Sequence, residues 1–195
     1  MKLIKEPVVN ERVVRRRPRA MPQIQLDKPF TELTRPEQRV AIAHDVLLQL
    51  DAKRLEAKAD QFLSLRYKGQ SISWNTFPHS TLLAHEFSDE TPERALENKC
   101  DVCAIGAVFV SLVRRRGKAT FLDVGDTIND GIPEYATDVF HPDMLAGMEH
   151  YFEVHDVKRR MRHLGADGRL RAIMHNIIDN EGAFVPKELP CAPRG

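Results

Sequence analysis

Cys100 and Cys103 stand in the run Lys99-Cys100-Asp101-Val102-Cys103-Ala104-Ile105-Gly106-Ala107, a C-x-x-C pair at the entrance to the most apolar stretch of the chain. Two thiols at that spacing could supply half a zinc site, a redox pair or a nucleophile at a helix start. Zinc takes about four ligands, so Cys100 and Cys103 would need scattered histidines such as His79, His85 or His141 to complete a site. The histidine pair that follows Cys103 at finger spacing, His150 with His155, comes 47 positions further on, far beyond the dozen or so residues a finger allows. A redox pair wants a strand before it and an exposed helix start. The flanking residues predict helix instead, with no tryptophan or proline beside the pair. As a cysteine hydrolase, Cys103 or Cys100 would be the nucleophile, with His141 or a histidine of the 79–85 segment as base. Against these stands a plainer reading. Cys100, Cys103 and Ala107 fall at i, i+3 and i+7, the face that a tight helix crossing fills with small side chains. Buried cysteine is common, and the balance favours core thiols, no enzyme and no cofactor, with a zinc-stapled binding module as a further alternative.

The other chemistry-bearing residues are dispersed. The eight histidines include no H-E-x-x-H. His150 and Glu153 share a helix turn, but a di-iron bundle needs a second such helix and more carboxylates. His44-Asp45, and His175 with Asp179, read as exposed polar neighbours. The stretch from Asp126 to Thr137 resembles a calcium loop only loosely: Ile128 occupies a ligand position and Thr137 stands where glutamate belongs. Phosphate-binding glycine motifs and RNA-binding aromatic motifs are missing.

Charge is the second informative feature. The chain carries 29 basic and 28 acidic residues, a net of +1. Residues 1–20 nevertheless hold seven cations against Glu6 and Glu11, a net of +5, which leaves −4 for the remainder. Arg12, Arg15, Arg16, Arg17 and Arg19 are therefore the candidate contacts to a nucleic acid or an acidic protein surface. The competing reading of that segment is a solvated tail that aids solubility.

Around these residues the pattern predicts a mainly α (α+β) architecture. It is a single globular helical domain of about five or six helices with one small β-hairpin, preceded by an extended arm. The arm covers 1–30, the domain 31–186 and an extended tail 187–195. Thr34-Arg35-Pro36-Glu37 is a helix start, with Val40, Ala43, Val46, Leu47 and Leu50 on one face, and a second helical stretch is expected over 51–59. Alternation over Leu63–Tyr67 and Ile72–Trp74 around Gly69 predicts the hairpin. Thr91-Pro92-Glu93 and Gly117 bracket either one long helix or a short helix followed by another from about Cys100. A strand over 118–124 and a polar loop over 125–139 follow. Helices then start at His141-Pro142-Asp143, at Asp156 and at Asp167, the last stopping at Gly182.

Three cysteines at low density suit reduced thiols in a cytosol. A hydrophobic fraction of 42% without a run of about 18 apolar residues, and an N-terminus without a secretory stretch, lead to the expectation of a cytoplasmic protein with no membrane partner.

Three stretches together, Arg39–Leu47, Cys100–Ala107 and Arg169–Ile178 with Phe184-Val185-Pro186, resemble small uncharacterised proteins encoded by bacteria and their phages. The resemblance spans about residues 35–186 and implies no activity and no site. What it implies is a phage or mobile-element accessory protein, located in the bacterial host cytosol or the virion. The expected function is a non-enzymatic interaction protein that binds a host or virion macromolecule with help from the basic arm.

Overall fold

Helix α1 (Arg35–Asp51) starts where the capping pattern puts it. Glu37 reaches back so that its Oε2 accepts from the Thr34 N–H and from the Thr34 hydroxyl, each at 2.8 Å. Both bonds favour the charged carboxylate, the backbone one more, and hold Glu37 below its usual range. The computed structural model describes residues 28–67, 70–74, 99–116, 127–128, 132–153, 161 and 163–189. The basic arm up to residue 27, His79 and His85, the helix start at Thr91, the strand expected over 118–124, the helix start at Asp156 and the tail after Leu189 lie outside the described residues.

The helical stretch expected after α1 is instead a turn and a strand, β1 (Leu55–Ala57). Lys53 at φ 56° turns the chain back, and Arg54 donates its N–H to Gln49 O. Leu55 and Ala57 then face inward with Glu56 out, a strand's alternation. The expected hairpin is present as β2 (Leu63–Tyr67) and β3 (Gln70–Trp74), antiparallel with Leu63 opposite Trp74 and Tyr67 opposite Gln70. It does not stand alone. Cys100–Val102 is strand β4, parallel to β1 through Leu55–Cys100 and antiparallel to β2 through Leu63–Val102. The sheet order is β1-β4-β2-β3.

Helix α2 (Ala104–Arg116) leaves β4 at once and is buried from Ala104 to Val113 on all sides. It is the centre of the fold. Helix α1 runs beside it in the same direction, with the Ser111 hydroxyl donating to Ile42 O at 3.4 Å and Arg115 next to Asp45. A two-stranded ladder, β5 (Thr127–Ile128) with β6 (Ile132–Pro133), leads into the single turn α3 (Glu134–Thr137). The polar loop expected there is in part core, since Ala136, Val139 and Phe140 are buried.

Helix α4 (Pro142–Phe152) is capped by His141, whose Nδ1 accepts from the Asp143 N–H, and it turns Leu145, Met148 and Phe152 inward. Helix α5 (Ala166–Asp179) buries Leu170, Ile173, Met174, Ile177 and Ile178 as its periodicity predicts. Its N-cap is Gly165 and not Asp167, which lies in the first turn and accepts from Arg171 Nε at 2.7 Å. Helix α5 runs antiparallel to α1: Arg171 binds Asp51 at 2.7 Å, while Gly182 abuts Pro36 at the other end. Gly182, at φ 91°, has a backbone that disfavours any side chain, and a Cβ there would meet Pro36 O at 2.5 Å.

Among the described residues four helices exceed ten residues, fewer than the about five or six expected. The architecture is helix-dominated with a small sheet, and no helix among those residues is long and apolar enough to cross a membrane. Phe30 packs on the core and its carbonyl accepts from Gln38 Nε2, and Leu189 is buried after the 3-10 turn Pro186–Glu188.

Candidate functional site

The two cysteines do not share a helix face. Cys100 opens β4 at the middle of the sheet, and Cys103 is the last residue before α2. Neither is in a disulfide and both are buried, with Cys103 only 2% exposed. The strand forms because Cys100 and Val102 alternate inward around Asp101, which pairs with Lys58 of the next segment. Cys103 then acts as the cap of α2: its carbonyl accepts from Ala107 N–H and its Sγ accepts from Gly106 N–H at 3.4 Å.

The β1–β2 connection closes over this helix start. Cys103 N–H donates to Phe62 O at 3.4 Å, and a Cβ on Gly106 would lie 1.7 Å from that same oxygen. Gly106 is therefore the residue that lets the Phe62 carbonyl settle on the first turn of α2. The Phe62 ring packs at 6.1 Å from Phe109 further along the helix.

Helix α4 supplies the remaining groups. Glu149 Oε2 accepts from Ile105 N–H at 3.3 Å, and the same side chain faces Cys103. One turn on, Glu153 accepts from the Asp60 N–H with both oxygens, at 3.1 and 3.0 Å. Asp60 sits at φ 58° in the turn after β1, which aims its amide at Glu153. Burial is the main force raising Glu149 to about 7, and the charge of Glu153 adds to it, against the pull of the Cys103 thiol and of Ile105 N–H. Glu153 is raised too, by burial first, with the Asp60 amide pulling the other way.

The thiols respond to the same surroundings. Burial pushes Cys100 up to about 12. Burial, followed by the Glu149 charge, holds Cys103 well above its ordinary value. A thiol in such a place stays protonated, the reverse of what a nucleophile or a zinc ligand needs. His141 is not placed beside it. It lies at the exposed start of α4, about 12 Å along the helix axis from the turn that carries Glu149, and its ring engages Asp143. Among the described residues no three His, Cys, Asp or Glu side chains come together in a way that could hold a metal ion. The other proposed zinc partners, His79 and His85, and the arm residues Arg12, Arg15, Arg16, Arg17 and Arg19 lie outside the described residues.

Glu149 escapes the search for cysteine and histidine partners, although a signal for it exists. It lies beside Leu145, Met148 and Phe152 on the apolar stripe of α4, where a carboxyl is costly without donors. The His44-Asp45 pair also differs from expectation. Asp45 is 8% exposed and His44 is half-buried. Asp45 accepts from Gln49 and lies 3.6 Å from Arg115, while burial, then His175 and Arg115, lower His44. The α4–α5 junction is held by Arg169, which donates to Phe152 O at 2.6 Å and Leu164 O at 2.9 Å. A search of protein families, of curated proteins and of solved structures finds no match to this chain.

Proposed function

We propose that this chain is a non-enzymatic interaction protein whose helical domain carries a basic N-terminal segment to a negatively charged macromolecule. The observation that carries the reading is the charge separation: +5 over residues 1–20 against −4 over the rest of the chain. A polyanion or acidic surface is drawn to the first and repelled by the second, so contact is oriented. The helical domain supports the same view from the other side, since its two described thiols are sealed in the core and held protonated. Its start is firm. Phe30 packs on the core and is tied to Gln38, giving the segment before it a fixed point of departure.

The test is binding of the full chain, and of the chain lacking residues 1–20, to duplex DNA, single-stranded RNA and heparin across a salt series. The full chain should bind at low salt and weaken as salt rises. Replacing Arg15, Arg16 and Arg17 with alanine should lower the log–log salt slope by about 3. Equal binding by the full and shortened chains on every probe would end the proposal.

A further inference from the structure

The chain after α5 turns back onto the helices before it. Asn176 of α5, 6% exposed, holds Val185 by both of its backbone groups. Its Oδ1 accepts from the Val185 N–H at 2.7 Å, and its Nδ2 donates to Val185 O at 3.0 Å. On the α4 side the Phe184 ring lies over Gly147 and meets Tyr151 edge to face, with centroids 5.9 Å apart. The 3-10 turn Pro186–Glu188 then carries Leu189 into the core, where it is 2% exposed. Phe184–Leu189 is thus a strap held by one amide clamp and two apolar anchors. Its connection to α5 is a tight reversal through Glu181, φ 51°, and Gly182, φ 91°. Glu181 holds a left-handed conformation that its side chain disfavours.

We propose that this strap exchanges between two copies of the chain: the Glu181–Gly182 turn opens, and Phe184–Leu189 of each copy takes the same seat on the other. A second copy is the occupant that the seat fits. With its own strap withdrawn, the Asn176 amide, buried in the α5 face, loses the donor and the acceptor that Val185 supplies. The place beside Tyr151 and the place of Leu189 in the core lose their apolar filling at the same time. The strap of another copy restores every one of these contacts, because it presents the same residues in the same order. The closed and exchanged forms therefore share their contacts. They differ in the turn, whose left-handed residues are released when it opens, and in the entropy of association. Concentration decides between them.

The test uses the full wild-type chain, refolded from denaturant over a range of concentrations and sized by chromatography with light scattering. A dimer fraction should appear and should grow with the concentration during refolding. In a dimer refolded from an equal mixture of carbon-13-labelled and unlabelled chains, isotope-filtered spectra should place the Phe184 ring of one copy against Tyr151 of the other. Gly182→Ala penalises the closed turn, where a Cβ would meet Pro36 O at 2.5 Å, and spares an opened one. Its dimer dissociation constant should lie at least about tenfold below that of the wild-type chain. A wild-type chain that stays monomeric after refolding at every concentration overturns the proposal, whether or not the variant folds. A dimer in which Phe184 meets Tyr151 only within one copy overturns it equally, and so does a folded Gly182→Ala chain whose constant is unchanged.

Discussion

The two ends of α2 are anchored by opposite means. At its start the amide of Ile105 meets the Glu149 carboxyl, and at its end Arg114, Arg115 and Arg116 crowd the last turn. Both arrangements suit the helix dipole. At the start, however, Phe62 and Cys103 are buried and Glu149 is half-buried, and the contacts run to backbone amides and carbonyls. At the end they are side chains that keep some contact with water: Arg116 and Asp138 are 20% and 64% exposed across their 3.1 Å pair. The start thus depends on shape and on hydrogen bonds to backbone, and the end depends on charge. Changes of volume should damage the first far more than the second, and salt should reach only the second.

The largest expected effect is that of Gly106→Ala. In an ordinary helix interior this change stabilises by about 1 kcal/mol. Here the new methyl would collide with a backbone oxygen 1.7 Å away, and Phe62 cannot swing aside as a side-chain tip would. A loss of about 3 kcal/mol or more is expected by denaturant titration. Gly147→Ala on α4 is the control, because its nearest neighbour is the Phe184 ring edge at 3.6 Å, an ordinary contact. That variant should gain about 0.5–1 kcal/mol. If both substitutions stabilise, the close seat of the β1–β2 turn on α2 is wrong.

Cys103→Ala comes next. It removes the acceptor for Gly106 N–H, with little change of volume. A loss of about 1–2 kcal/mol is expected from the missing cap and the unpaired amide. In the unaltered chain, labelling of Cys103 by a thiol reagent should proceed only as fast as the structure opens, and should accelerate with denaturant. Rapid labelling under native conditions would contradict the burial and revive the nucleophile.

The same contrast explains what could be read from the residues alone. The α1 start was legible because Thr34 and Glu37 interact within four residues, and the inner faces of α4 and α5 because burial imposes a helical period. The β1 strand was not legible. Three residues, Leu55 to Ala57, are too few to show a period, and their conformation is set by β4, some forty-five positions away in register. Once β1 and β2 bracket Cys100–Val102, the stretch is pulled into the sheet, and the C-x-x-C pair divides between a strand and a helix cap. Local helix preference across 100–103 was outweighed by this non-local pairing. The acid pair was hidden for a related reason. Glu149 and Glu153 acquire their character from amides of Ile105 and Asp60, and a backbone amide leaves no mark on residue identity.

The smallest expected effect belongs to the far end of α2 and tests the other half of the comparison. Arg116 and Asp138 form a half-solvated pair, and such pairs contribute less than about 1 kcal/mol. A double-mutant cycle with Arg116→Ala and Asp138→Ala should give a coupling of about 0.5 kcal/mol at low salt, shrinking toward zero in about 1 M salt. The loss from Gly106→Ala should be unmoved by the same salt, since steric overlap is not screened. A coupling of about 2 kcal/mol that survives salt would mean that water does not reach the pair, and the two ends would then no longer be anchored by opposite means.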